Sequence, residues 1–184
     1  MNNIIAYIGE RNTGKTTRLY ERFIYEYELG RTILVIDSAT EHIEKSIYMK
    51  LCLEYKEKIE ICSCEKAGIL FPNNSAESFP FESIKNVSQR IYLVDVSLFL
   101  ERGYDYPAGT RREMERLYYK KLSMQVIEVL LEKVDVILMD EIELIPEGRR
   151  VLEKIKKSNK YMYMTLHDPA GMAGLSDLIK VERV

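Results

Sequence analysis

Cysteine is scarce in this chain. Cys52, Cys62 and Cys64 are odd in number and lack C-x-x-C spacing, which argues against a disulfide framework and favours reduced thiols. Cys62-Ser63-Cys64 is at most half a metal site, and the two histidines, His42 and His167, stand far from it in sequence. Glycine and proline are few, at 9 and 5. With no repeat or low-complexity tract to mark a linker, residues 1–184 are expected to form one domain. No apolar run approaches the ~18–20 residues of a membrane span. No basic-then-apolar leader precedes the first strand, so a cytoplasmic protein without a membrane partner is expected. A dominant charge is missing too. Lys and Arg number 27 against 29 Asp and Glu, a net charge of −2, which argues against a polyanion as main partner and leaves nucleic acid open only through a local basic face.

The remainder is globular, 46% hydrophobic and 30% charged, and a chain of this length buries roughly 70% of its unfolded surface. Ile4 to Ile8 reads as a buried strand, and Leu19, Phe23, Ile24 and Tyr27 follow at helical spacing up to a C-cap at Gly30. Further strands are expected at Thr32 to Asp37, Ile59 to Cys62, Ile91 to Val96, Val134 to Asp140 and Tyr161 to Leu166, with an edge strand in Leu178 to Val184. Helices are expected at Glu41 to Tyr55, Thr110 to Lys133 and Glu147 to Lys157. Residues 63–110 are mostly turn-rich, and their role is left open. Apolar strands alternating with helices predict an α/β fold with a mainly parallel central sheet and helices on both faces.

Gly9-Glu10-Arg11-Asn12-Thr13-Gly14-Lys15-Thr16 matches G-x-x-x-x-G-K-[ST], set between a strand and a helix start as a phosphate-binding loop requires. Gly9 and Gly14 are expected to relax the backbone so that successive amides turn inward around a phosphate. The helix start adds unpaired N–H groups and the positive end of its dipole. Lys15 is expected at the β- and γ-phosphates, the Thr16 hydroxyl on Mg²⁺, and Thr17 near the α-phosphate.

Val136-Ile137-Leu138-Met139-Asp140-Glu141 has the pattern of a Walker B strand. Asp140 is expected to hold Mg²⁺ and Glu141 to orient or deprotonate the attacking water. Asp37 and Asp95 also end apolar strands, but neither has an acid after it. Thr165 or His167, at the end of the Tyr161 strand, is a candidate γ-phosphate sensor; a strand-end histidine bonded to a loop carbonyl is the plainer alternative. Arg149 and Arg150 lie in a basic helical stretch with Lys154, Lys156, Lys157 and Lys160, read mainly as a solvated face. Whether any of Arg111, Arg112, Arg149 and Arg150 acts as an arginine finger stays open.

These motifs resemble P-loop NTPases, whose three-layer α/β fold is the one implied. A closer resemblance is to the small bacterial and archaeal nucleoside-triphosphatase family once described as possible nucleotide kinases. It rests on Asp140-Glu141-Ile142 followed by a short helix and Thr165-Leu166-His167, and it covers the amino-terminal motif and the closing stretch from Asp135 on. The middle of the chain departs from that family, and Glu143 stands where its members usually have glycine. The resemblance implies Mg²⁺-dependent hydrolysis of ATP, GTP and related triphosphates. A weaker resemblance is to corrinoid adenosyltransferases. A nucleotide-dependent switch, an ATPase module of a DNA- or secretion-linked assembly, and a nucleotide kinase are the alternatives, with a protein partner or homo-oligomer left open.

Overall fold

The structure, a computed structural model, describes residues 3–37, 47–55, 58–62, 89–95, 127–141, 148–167 and 178–184. These residues contain strands β1 (Ile4–Ile8), β2 (Ile33–Asp37), β3 (Ile59–Cys62), β4 (Ile91–Asp95), β5 (Val136–Met139), β6 (Tyr161–Leu166) and β7 (Lys180–Arg183). The helices are α1 (Lys15–Glu28), α2 (Ile47–Glu54) and α3 (Gly148–Lys156), and residues 127–131 are also helical. Apart from 89–95, residues 63–110 lie outside the described residues, as do Arg111, Arg112 and most of the helix expected from Thr110.

The strands form one sheet in the order β3-β4-β2-β5-β6-β1-β7, and every pairing is parallel. Unbroken apolar strands suit this arrangement because both faces are covered. All five residues of β2 are buried, as are all four of β5.

Alternate residues feed two separate cores. Ile33, Val35, Leu93, Val136, Leu138 and Tyr163 cluster with Leu19 and Phe23 of α1 and Ile47 and Leu51 of α2. Leu34, Ile36, Ile137, Met139, Met162 and Met164 instead meet Ile127, Leu130 and Leu131, and Val151, Leu152 and Ile155 of α3. The period-2 strand pattern therefore meets a helical stripe on each side. The chain is an α/β protein with a parallel sheet. Among the described residues no helix is long and apolar enough to cross a membrane.

The amphipathic stripe of α1 contains an exception. Glu26 is fully buried although it lies in the last turn, where the helix dipole disfavours an anion. Its carboxylate is held by Arg22 at 2.7 Å, by Arg31, and by the Tyr163 hydroxyl at 3.0 Å. Arg22 also hydrogen-bonds the Tyr163 hydroxyl and lies 4.3 Å from the centre of that ring. Burial and the adjacent Glu26 carboxylate push the Tyr163 phenol up to about 12, so it donates at all ordinary pH. This cluster fixes α1 against β6.

Glu26→Ala is expected to lower folding stability by about 3 kcal/mol in urea denaturation, near the low end for a broken buried ion pair. The low end applies because Arg22 and Arg31 keep 32% and 31% of their side-chain surface in water and can rehydrate. A loss below ~1 kcal/mol would mean that the cluster does not hold the helix.

Candidate functional site

The loop between β1 and α1 depends on its two glycines in different ways. Gly14 is left-handed, at φ 96°, and forms the N-cap of α1. The φ of Gly9 is not in the left-handed region, so the backbone freedom expected for it is not what it supplies. A Cβ there would lie 2.5 Å from Thr13 Oγ1 and 2.7 Å from the Val184 carbonyl oxygen. Gly9 is thus required for space, because β7 runs directly behind the loop. Asn12, at φ 65°, takes a second left-handed position, one that asparagine tolerates better than most residues.

Glu10, Arg11, Asn12 and Thr13 are exposed at the crest of the loop, and Thr17 is exposed in the first turn of α1. No side chain caps α1, so the amides of its first turn have no side-chain acceptor at the cap. Lys15 turns back into the loop. It is 6% exposed, and its Nζ donates to the carbonyls of Gly9 at 2.8 Å and Glu10 at 2.6 Å. A buried ammonium beneath a ring of backbone groups is suited to meet an anion entering the loop.

Strand order brings the second half of the site alongside. β6 lies between β1 and β5, so Thr165 stands one strand from each. The Thr16 hydroxyl donates to Asp140 Oδ2 at 3.2 Å, joining residues 124 positions apart. The Thr165 hydroxyl donates to Asp140 Oδ1 and accepts the Glu141 amide at 2.8 Å. Asp140 is 3% exposed. Burial pushes its carboxyl above the usual carboxylate range and the Glu141 charge adds to this, against the lowering effect of the two threonine hydroxyls and His167.

β5 ends at Met139, one residue short of the expected Asp140. Glu141 then adopts φ 50°, a left-handed conformation costing a non-glycine residue roughly 1–2 kcal/mol. Its carboxylate meets His167 Nε2 at 2.6 Å. The two alternatives weighed for His167, phosphate sensor or a bond to a loop carbonyl, did not include this carboxylate. Nothing in the local sequence indicated it, since the pair is 26 positions apart and meets only because β5 and β6 are neighbours.

The other candidates divide. Asp37 is 1% exposed at the end of β2, beside β5. Asp95 ends β4, in register with Asp37. Arg149 and Arg150 are ion-paired with Glu153 at 3.1 Å and Glu128 at 3.1 Å, on the helix that covers the sheet face opposite α1. Tyr163, Met162 and Met164 are buried, consistent with packing rather than a base-stacking surface.

Among the described residues no group of three or more His, Cys, Asp and Glu could hold a metal ion. One carboxylate and one hydroxyl do not make a closed protein cage. They do fit Mg²⁺, which keeps most of its waters and takes further ligands from substrate phosphates. Asp140 and Thr16 are the residues that would hold it. No protein-family model matches the chain, and no curated protein matches it in sequence.

Proposed function

We propose that the chain is a Mg²⁺-dependent nucleoside triphosphatase acting on ATP or GTP, with a three-layer P-loop NTPase fold. The observation that carries this reading is the 3.2 Å contact between Thr16 and Asp140. It joins the residue after the loop lysine to the carboxylate at the end of a buried strand, as a shared triphosphate and cation would require. The separate cores on the two sheet faces support the three-layer arrangement. The strand between β1 and β5 supports a site in which Thr165 and His167 adjoin the carboxylates.

In this reading the loop amides and the N-terminus of α1 bind the phosphates, and the Lys15 ammonium moves from the Gly9 and Glu10 carbonyls to the β- and γ-phosphate oxygens. Thr16 and Asp140 would hold Mg²⁺, which would offset negative charge on the phosphates. Glu141 accepts a proton from the attacking water as that water's oxygen bonds the γ-phosphorus and the β–γ bridge breaks. His167 Nε2 holds the Glu141 carboxylate at one oxygen.

The test is a binding and turnover assay with ATP and GTP in the presence of Mg²⁺. Wild type is expected to bind and hydrolyse both, and Lys15→Ala to lose measurable binding while keeping its fold by circular dichroism. Unchanged affinity in Lys15→Ala would overturn the phosphate site. Binding without turnover would point to a nucleotide-dependent switch, and phosphate transfer to a nucleoside monophosphate to a kinase.

A further inference from the structure

The sheet ends at β7, which pairs with β1 and with no second strand among the described residues. The Val184 amide donates to the Ile8 carbonyl at 2.9 Å. Backbone groups of successive strand residues point to alternate sides, so Glu182 and Lys180 also direct theirs toward β1. Those of Val181 and Arg183 point away from the sheet. On the α1 face Lys180 and Glu182 stand side by side, 3.0 Å apart and well exposed. Val181 between them is an exposed apolar residue, at 42%.

We propose that this edge joins two copies of the chain, with the two β7 strands antiparallel and centred on Val181. In that register Val181 opposes Val181 of the second copy, and the two exchange a pair of N–H···O=C bonds. Lys180 then opposes Glu182 of the second copy, and Glu182 its Lys180, at the closely spaced positions without backbone bonds. The outward-pointing groups of Arg183 fall opposite those of Ile179 in the same way.

The charges select this register. A two-residue slip in one direction sets Glu182 against Glu182; in the other it sets Lys180 against Lys180, and like charges directly opposite are destabilising. A one-residue slip matches outward backbone groups with inward ones. Alternating charge on an edge strand ordinarily repels foreign apolar strands; here the same charges attract an inverted copy. A four-residue edge alone is small against the ~1,000 Å² expected of a specific interface. Beside it lies a groove of about 450 Å³ between α1 and β7, lined by residues of both signs that include Arg18, Glu21, Tyr25 and Arg183. Tyr25 is 49% exposed there, so the contact extends onto α1. The proposal stands apart from the nucleotide reading, since it uses no residue of the loop or of the carboxylate pair.

The experiment is sedimentation equilibrium of the full chain across a wide concentration range. Wild type is expected to form dimers. Val181→Pro removes an amide that takes no part in the β1 ladder, so the protomer keeps its fold while the dimer is lost. Lys180→Glu puts like charges at two symmetry-related positions and is expected to weaken dimerisation about tenfold. Adding Glu182→Lys to that variant restores opposite charges and the affinity. A wild type that stays monomeric throughout overturns the proposal. So does a dimer indifferent to the charge exchange, which keeps the test decisive even where Val181→Pro disturbs the fold.

Discussion

Glu141→Gln is expected to bind ATP within about threefold of wild type and to hydrolyse it ~100-fold or more slowly, the usual contribution of a positioned general base. The separation follows from the contacts of Glu141. Its amide donates to the Thr165 hydroxyl at 2.8 Å, and its carboxylate meets His167 Nε2 at 2.6 Å. Glutamine keeps the shape, the left-handed backbone and an oxygen for His167, but it cannot take a proton from water. In the proposed reading binding rests on other groups, the loop amides and Lys15, which the substitution leaves in place. Single-turnover measurement with bound nucleotide isolates the chemical step. Normal turnover in Glu141→Gln would remove Glu141 from the reaction and leave its backbone strain without a catalytic reason.

Asp140→Asn is expected to act in opposite directions on stability and on ligand binding. Asp140 is a carboxylate 3% exposed, and burial raises its pKa. A carboxyl whose folded pKa lies above its unfolded value destabilises the fold once ionised. Stability is therefore fully present below the ordinary aspartate range, near pH 4, and is lost as pH rises through the raised folded value. Asparagine carries no charge to desolvate and can still bond Thr16 and Thr165. At neutral pH the variant is therefore expected to melt above wild type. The difference should close below pH 4.

If Asp140 holds Mg²⁺ as proposed, Mg²⁺-dependent nucleotide affinity should fall in the same variant by ~100-fold, as an anionic ligand is replaced by a neutral one. Differential scanning calorimetry across pH measures the first effect and titration calorimetry with and without Mg²⁺ the second. A variant that melts below wild type at pH 7 would show that the carboxylate is compensated by its surroundings rather than held at a cost.

Among the described residues, the strands were legible in the amino-acid sequence. β1, β2, β4 and β6 lie where apolar runs predicted them, within a residue or two, because a strand buried on both faces must be apolar along its length. α1 is capped by Leu29, one residue before the expected Gly30, and Gly30 follows in a left-handed conformation, with the amides of Gly30 and Arg31 returning to the carbonyls of Tyr27 and Glu26. Less legible was anything depending on which strand neighbours which. Glu26 follows Leu19 by seven positions and Phe23 by three, on the buried stripe of α1 and opposite exposed Glu21 and Glu28, but helical spacing does not say which groups neutralise it. Its burial follows from Tyr163 on β6 and from Arg31 beyond the helix end.

The sequence by itself determined the glycine loop between a strand and a helix, the lysine at the helix start, and an acidic pair closing an apolar strand. These are properties of residues within a few positions of one another, governed by backbone sterics and side-chain period. The tertiary structure decided that β6 separates β1 from β5, and so that Thr165 bridges Asp140 and Glu141 and that His167 meets Glu141. It also decided that β7 passes behind Gly9. Strand order is fixed by packing both sheet faces against helices from distant parts of the chain. Contacts over more than a hundred positions, such as Thr16 with Asp140, leave no periodic trace in the amino-acid sequence.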